Sequence, residues 1–222
     1  MSSKIEIRRT ADGSPTLFVP ELDETYHSMH GSVQEAKHVF IDHGLRTFSC
    51  EKKISVLEVG FGTGLNALLS AQYAIENQIP LIYTGIEAFP VGSELWSELC
   101  YVNQTDWQHF YQKMMQSEWE QALQLHEMFT LTKMKIQIQD WPAKYNFDLI
   151  YYDAFGPRAQ AEMWESIIFE KLYKSLSAGG SLVTYCAQGA FKRKLKEIGF
   201  QVEALPGPPG KREMTRARKI NN

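Results

Sequence analysis

The sequence predicts an α/β fold: a doubly wound, mostly parallel, Rossmann-like sheet with helices on both faces and a small N-terminal extension. Three observations predict it. Compact β-rich runs alternate with helical stretches from Ile54 onward. A glycine-rich turn, Gly60-Phe-Gly62-Thr-Gly64, directly follows the first run. Acidic residues recur where runs end, at Glu87, Asp140 and Asp153. Alternation of this kind gives parallel strands, because a helix must carry the chain back between them. The 222 residues suit one domain with an appendage. The expected division is 1–50 for the extension and 51–222 for the body.

In order, Ile5 to Arg9 reads as a short strand and Ser14-Pro15 as a turn. After Gly31, Val33, Ala36, Val39, Phe40 and His43 recur at helical spacing, and Gly44 is a stop. The first strand of the body is Ile54–Val59, followed by the glycine turn and a helix, LNALLSAQYAIENQ, that ends before Pro80. Residues 81–86 form the second strand, closed by Glu87, and helices are expected over Ser93–Val102 and 105–131. The alternating run Met134–Ile138 predicts the third strand and Phe147–Tyr152 the fourth. A helix over about 163–175, a turn at Ala178-Gly-Gly180 and a fifth strand at Ser181–Tyr185 follow. A basic helix, Ala190–Ile198, leads to a sixth strand, Phe200–Ala204, and then to a basic end.

Composition excludes several classes. No apolar run approaches the roughly 18–20 residues of a membrane span, and the start, MSSKIEIRRT, lacks the apolar core of a signal peptide. Cys50, Cys100 and Cys186 make no CxxC pair, so they are expected as small buried hydrophobes in a reducing, cytoplasmic setting. His27, His30, His38 and His43 match no metal-ligand spacing and are expected at the surface or in packing. No metal is expected. The net charge of −3 argues mildly against a nucleic-acid partner, but the charge is uneven. Residues 189–222 hold nine Lys/Arg and three Asp/Glu, net +6, against fourteen and twenty-three in residues 1–188, net −9.

Ligands of open parallel sheets bind beyond the carboxyl ends of the strands, which is where the candidate residues fall. Gly60, Gly62 and Gly64 let the backbone turn sharply and approach a ligand. Their G-x-G-x-G spacing lacks the third glycine of a dinucleotide fingerprint, whose place is taken by Leu65. That favours the nucleoside pocket of S-adenosylmethionine enzymes over a pyrophosphate cradle. Glu87 can accept hydrogen bonds from both ribose hydroxyls. Glu58, inside a strand, needs a partner, and can bond to the loop amides or receive a ligand ammonium. Asp140 can bind an adenine, with Trp141 as its stacking face. Asp153, among Tyr151, Tyr152 and Phe155, can hold an amine and take its proton while the aromatics stack on a flat substrate.

These residues together resemble the methyltransferase of the tRNA 5-methylaminomethyl-2-thiouridine biosynthesis family. The likeness covers nearly the whole chain. It takes in Phe18 through Tyr26-His27-Ser28, Gly31, Glu35, Val39-Phe40, Glu58 to Asn66, Asp153-Ala-Phe-Gly-Pro157, Glu162-Met-Trp164 and Gly210-Lys-Arg-Glu-Met214. Ala154 and Gly156 exchange the glycine and alanine of the family's Asp-Gly-Phe-Ala-Pro, keeping the carboxylate and the aromatic. The resemblance implies a seven-stranded class I methyltransferase sheet with a reversed final strand. It implies methyl transfer from S-adenosylmethionine to the aminomethyl nitrogen of a wobble uridine in the tRNA anticodon stem-loop. It also implies donor binding by Glu58, Gly60, Gly62, Gly64, Asn66, Glu87 and Asp140, catalysis by Asp153, and substrate contacts by Tyr152, Phe155, Lys211 and Arg212. Lys192, Arg193, Lys194, Lys196, Arg216, Arg218 and Lys219 complete a phosphate grip. Fused relatives carry an FAD oxidase domain; the chain ends soon after the KREM segment, so no FAD is expected, and upstream modification enzymes would be separate partners. An aminopropyltransferase, with a similar Asp148–Asp153 segment, and a non-catalytic nucleoside- or tRNA-binding module are the alternatives.

Overall fold

A computed structural model describes residues 4–48, 52–143 and 146–220. Cys50 and the expected 50/51 boundary lie outside these residues. A small antiparallel sheet comes first: β1 (Glu6–Arg9), β2 (Pro15–Val19) and β3 (Glu24–Thr25). Helix α1 (Ser32–Ala36) then runs into a π-helical turn over Lys37–Asp42. Val39, Phe40 and Ile41 on that turn are buried, and Leu17, Val39, Phe40 and Leu45 share one core cluster with Val56 and Leu68 of the body.

The body contains β4 (Ile54–Val59), α2 (Leu65–Glu76), β5 (Leu81–Glu87), α3 (Ser93–Trp96) and α4 (Thr105–Gln116). Next come β6 (Ala122–His126), β7 (Phe129–Lys135), β8 (Phe147–Tyr152) and α5 (Ser166–Ser175). The chain closes with β9 (Leu176–Thr184), α6 (Gly189–Ile198), β10 (Phe200–Pro206) and β11 (Glu213–Lys219). Sheet order is β10-β11-β9-β8-β4-β5-β7-β6. The strands β7, β5, β4, β8 and β9 pair in parallel. β11 runs antiparallel between β9 and β10. The strand order therefore turns at β4, with β5 on one side and β8 on the other. Strand ends at such a point leave a crevice.

Several expectations about elements are corrected. The helix expected over 105–131 stops at Gln116. Ser117 is extended and its hydroxyl donates to the Met114 carbonyl, after which the chain forms the β6–β7 hairpin. Phe129, Leu131 and Lys133 alternate inward with Thr130 and Thr132, the period of a strand. β7 thus precedes the run expected at 134–138, and 136–139 become a loop. The basic end beyond the sixth strand also proves to be β11, which buries Met214, Thr215 and Ala217. With β6 as an added edge, the sheet has eight strands instead of seven, and the implied reversed final strand is present.

Successive residues of β8 face opposite sides of the sheet. Tyr151 enters the cluster beneath α2, with Tyr83 and Phe40. Tyr152 enters the other, against Trp164 and Phe169. Of the cysteines described, Cys186 is buried as expected, whereas Cys100 is exposed.

Candidate active site

A cavity of about 550 Å³ opens over the ends of β4, β5 and β8. That falls within the roughly 300–1,000 Å³ of small-molecule sites. Gly60 and Gly62 line it, and both have positive φ, +91° and +50°. A Cβ on Gly60 would lie 2.6 Å from the Asp153 carbonyl oxygen, and one on Gly62 3.1 Å from the Tyr26 ring. The glycines therefore bring the β4 turn against the Asp153 segment and against the N-terminal extension at once. Gly64 lies behind this turn, at the start of α2, where a Cβ would meet Met115.

Glu87 ends β5 on the cavity wall. Gly62 N–H donates to one carboxylate oxygen at 2.8 Å and Phe89 N–H to the other at 3.0 Å. Burial raises its pKa, while those amides oppose the shift. A carboxylate offers about four acceptor sites, so two remain for ligand hydroxyls. Phe89 stands beside it, 73% exposed, at the lip.

Behind the glycine turn lies a buried polar chain. The Asn66 amide donates to Glu58 Oε1 and to Asp153 Oδ2, each at 2.8 Å. Tyr83 donates its hydroxyl hydrogen to Glu58 Oε2 at 2.8 Å. Glu58 is fully buried, and burial pushes its pKa well above the ordinary value. Asp153 reaches the cavity wall. Burial lifts its carboxyl to about 7; the Asn66 bond and Lys211 oppose that rise and Glu35 adds to it. A carboxyl titrating near 7 is matched to taking a proton at neutral pH.

The remaining wall comes from distant sequence. Glu24, Thr25, Tyr26, His27, Ser28 and Glu35 of the extension line the cavity. Tyr26 packs edge-on against Phe155, with ring centres 5.1 Å apart, and Arg158 pairs with Glu24 at 3.1 Å. His27 packs edge-on against Tyr101, within the expected packing role, and in addition lines the cavity; burial holds its imidazole at about 4, so it is neutral. Lys211 reaches in from the loop before β11 and pairs with Glu35 at 2.5 Å.

The structure therefore brings Gly60, Gly62, Glu87, Asp153, Phe155 and Lys211 to one cavity. Glu58 and Asn66 lie behind it, as supports of Asp153. Tyr152 is corrected: its ring is in the core and its hydroxyl donates to the Met163 carbonyl. Asp140 is exposed outside the lining, where Gln137, Ile138 and Gln139 stand instead. Trp141 is 1% exposed, packed against Phe147, and offers no stacking face. Arg212 is exposed and is not part of the lining. Much of the expected phosphate grip is engaged within the protein. Lys192 pairs with Glu213, and Arg216 and Arg218 with Glu203. Lys194 and Lys219 donate to backbone carbonyls. Arg193, Lys196 and Arg212 are exposed. Among the described residues, no group of three or more His, Cys, Asp or Glu is placed to hold a metal ion, and no helix is long and apolar enough to cross a membrane.

A glycine turn, an acidic strand end and a near-neutral carboxyl meet around one crevice of a doubly wound sheet, the place where such sheets bind their ligands. Residues 96–220 match the S-adenosyl-L-methionine-dependent methyltransferase family, and the chain belongs to it. It is 32% identical over 220 residues to the tRNA 5-methylaminomethyl-2-thiouridine biosynthesis bifunctional protein MnmC of Cupriavidus necator, covering 93% of this chain and 33% of that protein. The same-named protein of Cupriavidus metallidurans is also 32% identical, over 222 residues, with the same coverage. The chain thus spans about a third of the length of these curated relatives. Among solved structures, MNMC2 from Aquifex aeolicus superposes with a TM-score of 0.82 at 22% identity, covering 99% of this chain and 71% of that one.

Proposed function

We propose that this protein methylates the aminomethyl nitrogen of 5-aminomethyl-2-thiouridine at the tRNA wobble position, giving 5-methylaminomethyl-2-thiouridine. The observation that carries the reading is Asp153: a carboxyl on the cavity wall, clamped by Asn66 and lifted to about 7. The names of the curated relatives support the substrate. With tRNA as substrate, the proposed setting is the cytoplasm.

The cavity fits the family's methyl donor by its glycine cradle and by Glu87, whose two oxygens are fixed by amides. Gly60, Gly62 and Glu87 would hold it, with Phe89 and Gln137–Gln139 as neighbouring wall. When bound, S-adenosylmethionine supplies an electrophilic methyl carbon on a cationic sulfur. The protein's task is the amine. An alkylammonium has no lone pair, so Asp153 takes one proton from the substrate nitrogen and holds it on a carboxylate oxygen. Asn66 fixes that carboxylate, and the buried Glu58 fixes Asn66, so the acceptor is positioned before substrate arrives. Tyr26 and Phe155 offer aromatic faces for a flipped pyrimidine.

The test is transfer from radiolabelled donor to bulk tRNA lacking the final methyl, followed by digestion to nucleosides. Label in the 5-substituted 2-thiouridine supports the reading. Tight donor binding without transfer to tRNA overturns it.

A further inference from the structure

Glu35 and Lys211 form a part of the cavity assigned neither to the donor nor to holding the transferred proton; they act on Asp153 through charge alone. Glu35, on α1, is buried at 9% exposure. Both of its oxygens are engaged: Ser28 N–H donates to Oε1 at 3.1 Å and Lys211 Nζ to Oε2 at 2.5 Å. Lys211 Nζ also lies 4.1 Å over the Tyr185 ring. Among the described residues that line the cavity, Lys211 is the one cation, against the carboxylates of Glu24, Glu35, Glu87, Asp153 and Glu162.

We propose that the Glu35–Lys211 pair sets which amines the pocket accepts: by engaging the cavity's cation, it leaves a wall that receives an ammonium and refuses an amine bearing a carboxylate arm. The proposal rests on the reading of Asp153 as the holder of a substrate amine. An ammonium entering the cavity meets carboxylates. A carboxylate arm must shed water and face Glu24, Glu35 and Asp153 with its natural counter-ion already paired. Like charges brought together in this way, and charges left unpaired, are how a site rejects a near-isostere. Lys211 is held from two sides, by a buried carboxylate and by an aromatic face, so it is not free to turn to a ligand. Converting Glu35 to its neutral isostere releases it. A lysine ammonium on a flexible stem, with three donors, then becomes a receptor for the arm. Glu35 acts through Lys211 and is a positioning residue for specificity.

The experiment compares two tRNAs, whose wobble uridine carries either an aminomethyl or an N-carboxymethylated aminomethyl group, with labelled donor. Wild-type protein is expected to prefer the aminomethyl tRNA strongly. Glu35→Gln is expected to raise kcat/KM on the carboxylated tRNA at least tenfold, mainly through a lower KM. The double variant Glu35→Gln with Lys211→Met is expected to lose that gain, which a merely structural role for Glu35 does not predict. Wild-type use of both tRNAs within threefold overturns the proposal. So does Glu35→Gln that methylates the aminomethyl tRNA with an unchanged preference. Should Glu35→Gln fail to fold, Lys211→Met in the otherwise wild-type chain is expected to sharpen the preference at least threefold, and an unchanged ratio overturns the idea. Failure of the wild type to methylate either tRNA overturns the amine reading, and the proposal falls with it.

Discussion

The strand-end wall of the cavity and the wall supplied by the extension differ in what holds their polar groups. On the strand-end side, Glu87 is fixed by two backbone amides and Asp153 by an amide side chain locked to the fully buried Glu58. Glu58 in turn sits on β4, the strand at which the sheet order turns. On the extension side, side-chain pairs join the wall to the body: Glu35, itself anchored by the Ser28 amide, with Lys211, Glu24 with Arg158, and Tyr26 with Phe155. Amide-held groups cannot move without moving the fold. An exposed side-chain pair such as Arg158–Glu24 can be exchanged at small cost to stability. The difference teaches where chemistry and where selectivity should reside: invariant steps on the sheet, substrate choice on the extension.

The largest effect expected from breaking this comparison is on the sheet side. Asp153→Ala should cut turnover on tRNA by about 10²–10⁴-fold, the usual contribution of a positioned proton acceptor. Donor affinity by calorimetry should stay within threefold, because Gly60, Gly62 and Glu87 are untouched. Glu87→Ala should do the reverse. Loss of ligand hydrogen bonds to a charged acceptor costs roughly 1.5–3 kcal/mol, so donor binding should weaken by about 10–100-fold. Turnover at saturating donor should change much less. If Asp153→Ala abolishes donor binding as well, the two roles are not separate.

Much of the strand-end wall was legible because it is local. A glycine turn after a β-rich run and an acid at the next run's end are sequence neighbours, so Gly60, Gly62, Glu87 and Asp153 could be placed from spacing alone. Tyr152 was misplaced because two adjacent aromatics in a strand must face opposite ways, and both faces of this strand are core. Asp140 and Trp141 were misplaced with the strand before them: β7 lies several residues earlier than the alternating run suggested, which puts 136–139 on the cavity. The extension wall was illegible for another reason. Glu35 and Lys211 are 176 residues apart, and only the fold joins them. His27 carried a signal, as part of the Tyr26-His27-Ser28 segment, but no spacing rule reads a single neutral imidazole as a wall. The basic end was legible as charge and illegible as structure, since β11 spends Arg216 and Arg218 on Glu203.

A smaller effect tests the electrostatic half of the sheet-side argument. The Asp153 carboxyl is raised from 3.8 to about 7, chiefly by burial. A group that holds its proton more tightly when folded makes the folded state lose stability as pH rises. The loss begins near the unfolded value of about 4 and is complete above about 7. Asp153→Asn removes the buried charge and keeps an oxygen for the Asn66 amide. Its Tm should therefore match wild type near pH 4 and exceed it at pH 8. Equal melting temperatures at both pH values would place the carboxylate in water and remove the basis for its near-neutral titration. In the same window, wild-type kcat/KM at fixed amine protonation should rise with pH through about 7, as the acceptor form of Asp153 accumulates.

The smallest effect belongs to the exchangeable wall. Arg158 is 73% exposed at its side chain and pairs with a Glu24 that is 28% exposed. Exposed pairs of this kind contribute about 0.2–1 kcal/mol. Arg158→Ala should therefore lower Tm by no more than a few degrees, and adding 0.5 M salt to the wild type should lower it by a similar amount through screening. Donor affinity should be unchanged, since the bonds of Arg158 among the described residues go to Glu24 and the Asp23 carbonyl. KM for tRNA is the parameter free to move, because the pair joins the loop after Asp153 to Glu24, which lines the cavity. A large loss of stability in Arg158→Ala would mean that the extension is held to the body by this contact rather than by the shared core of Leu17, Phe40 and Leu45, and the contrast between a rigid wall and an exchangeable one would fail.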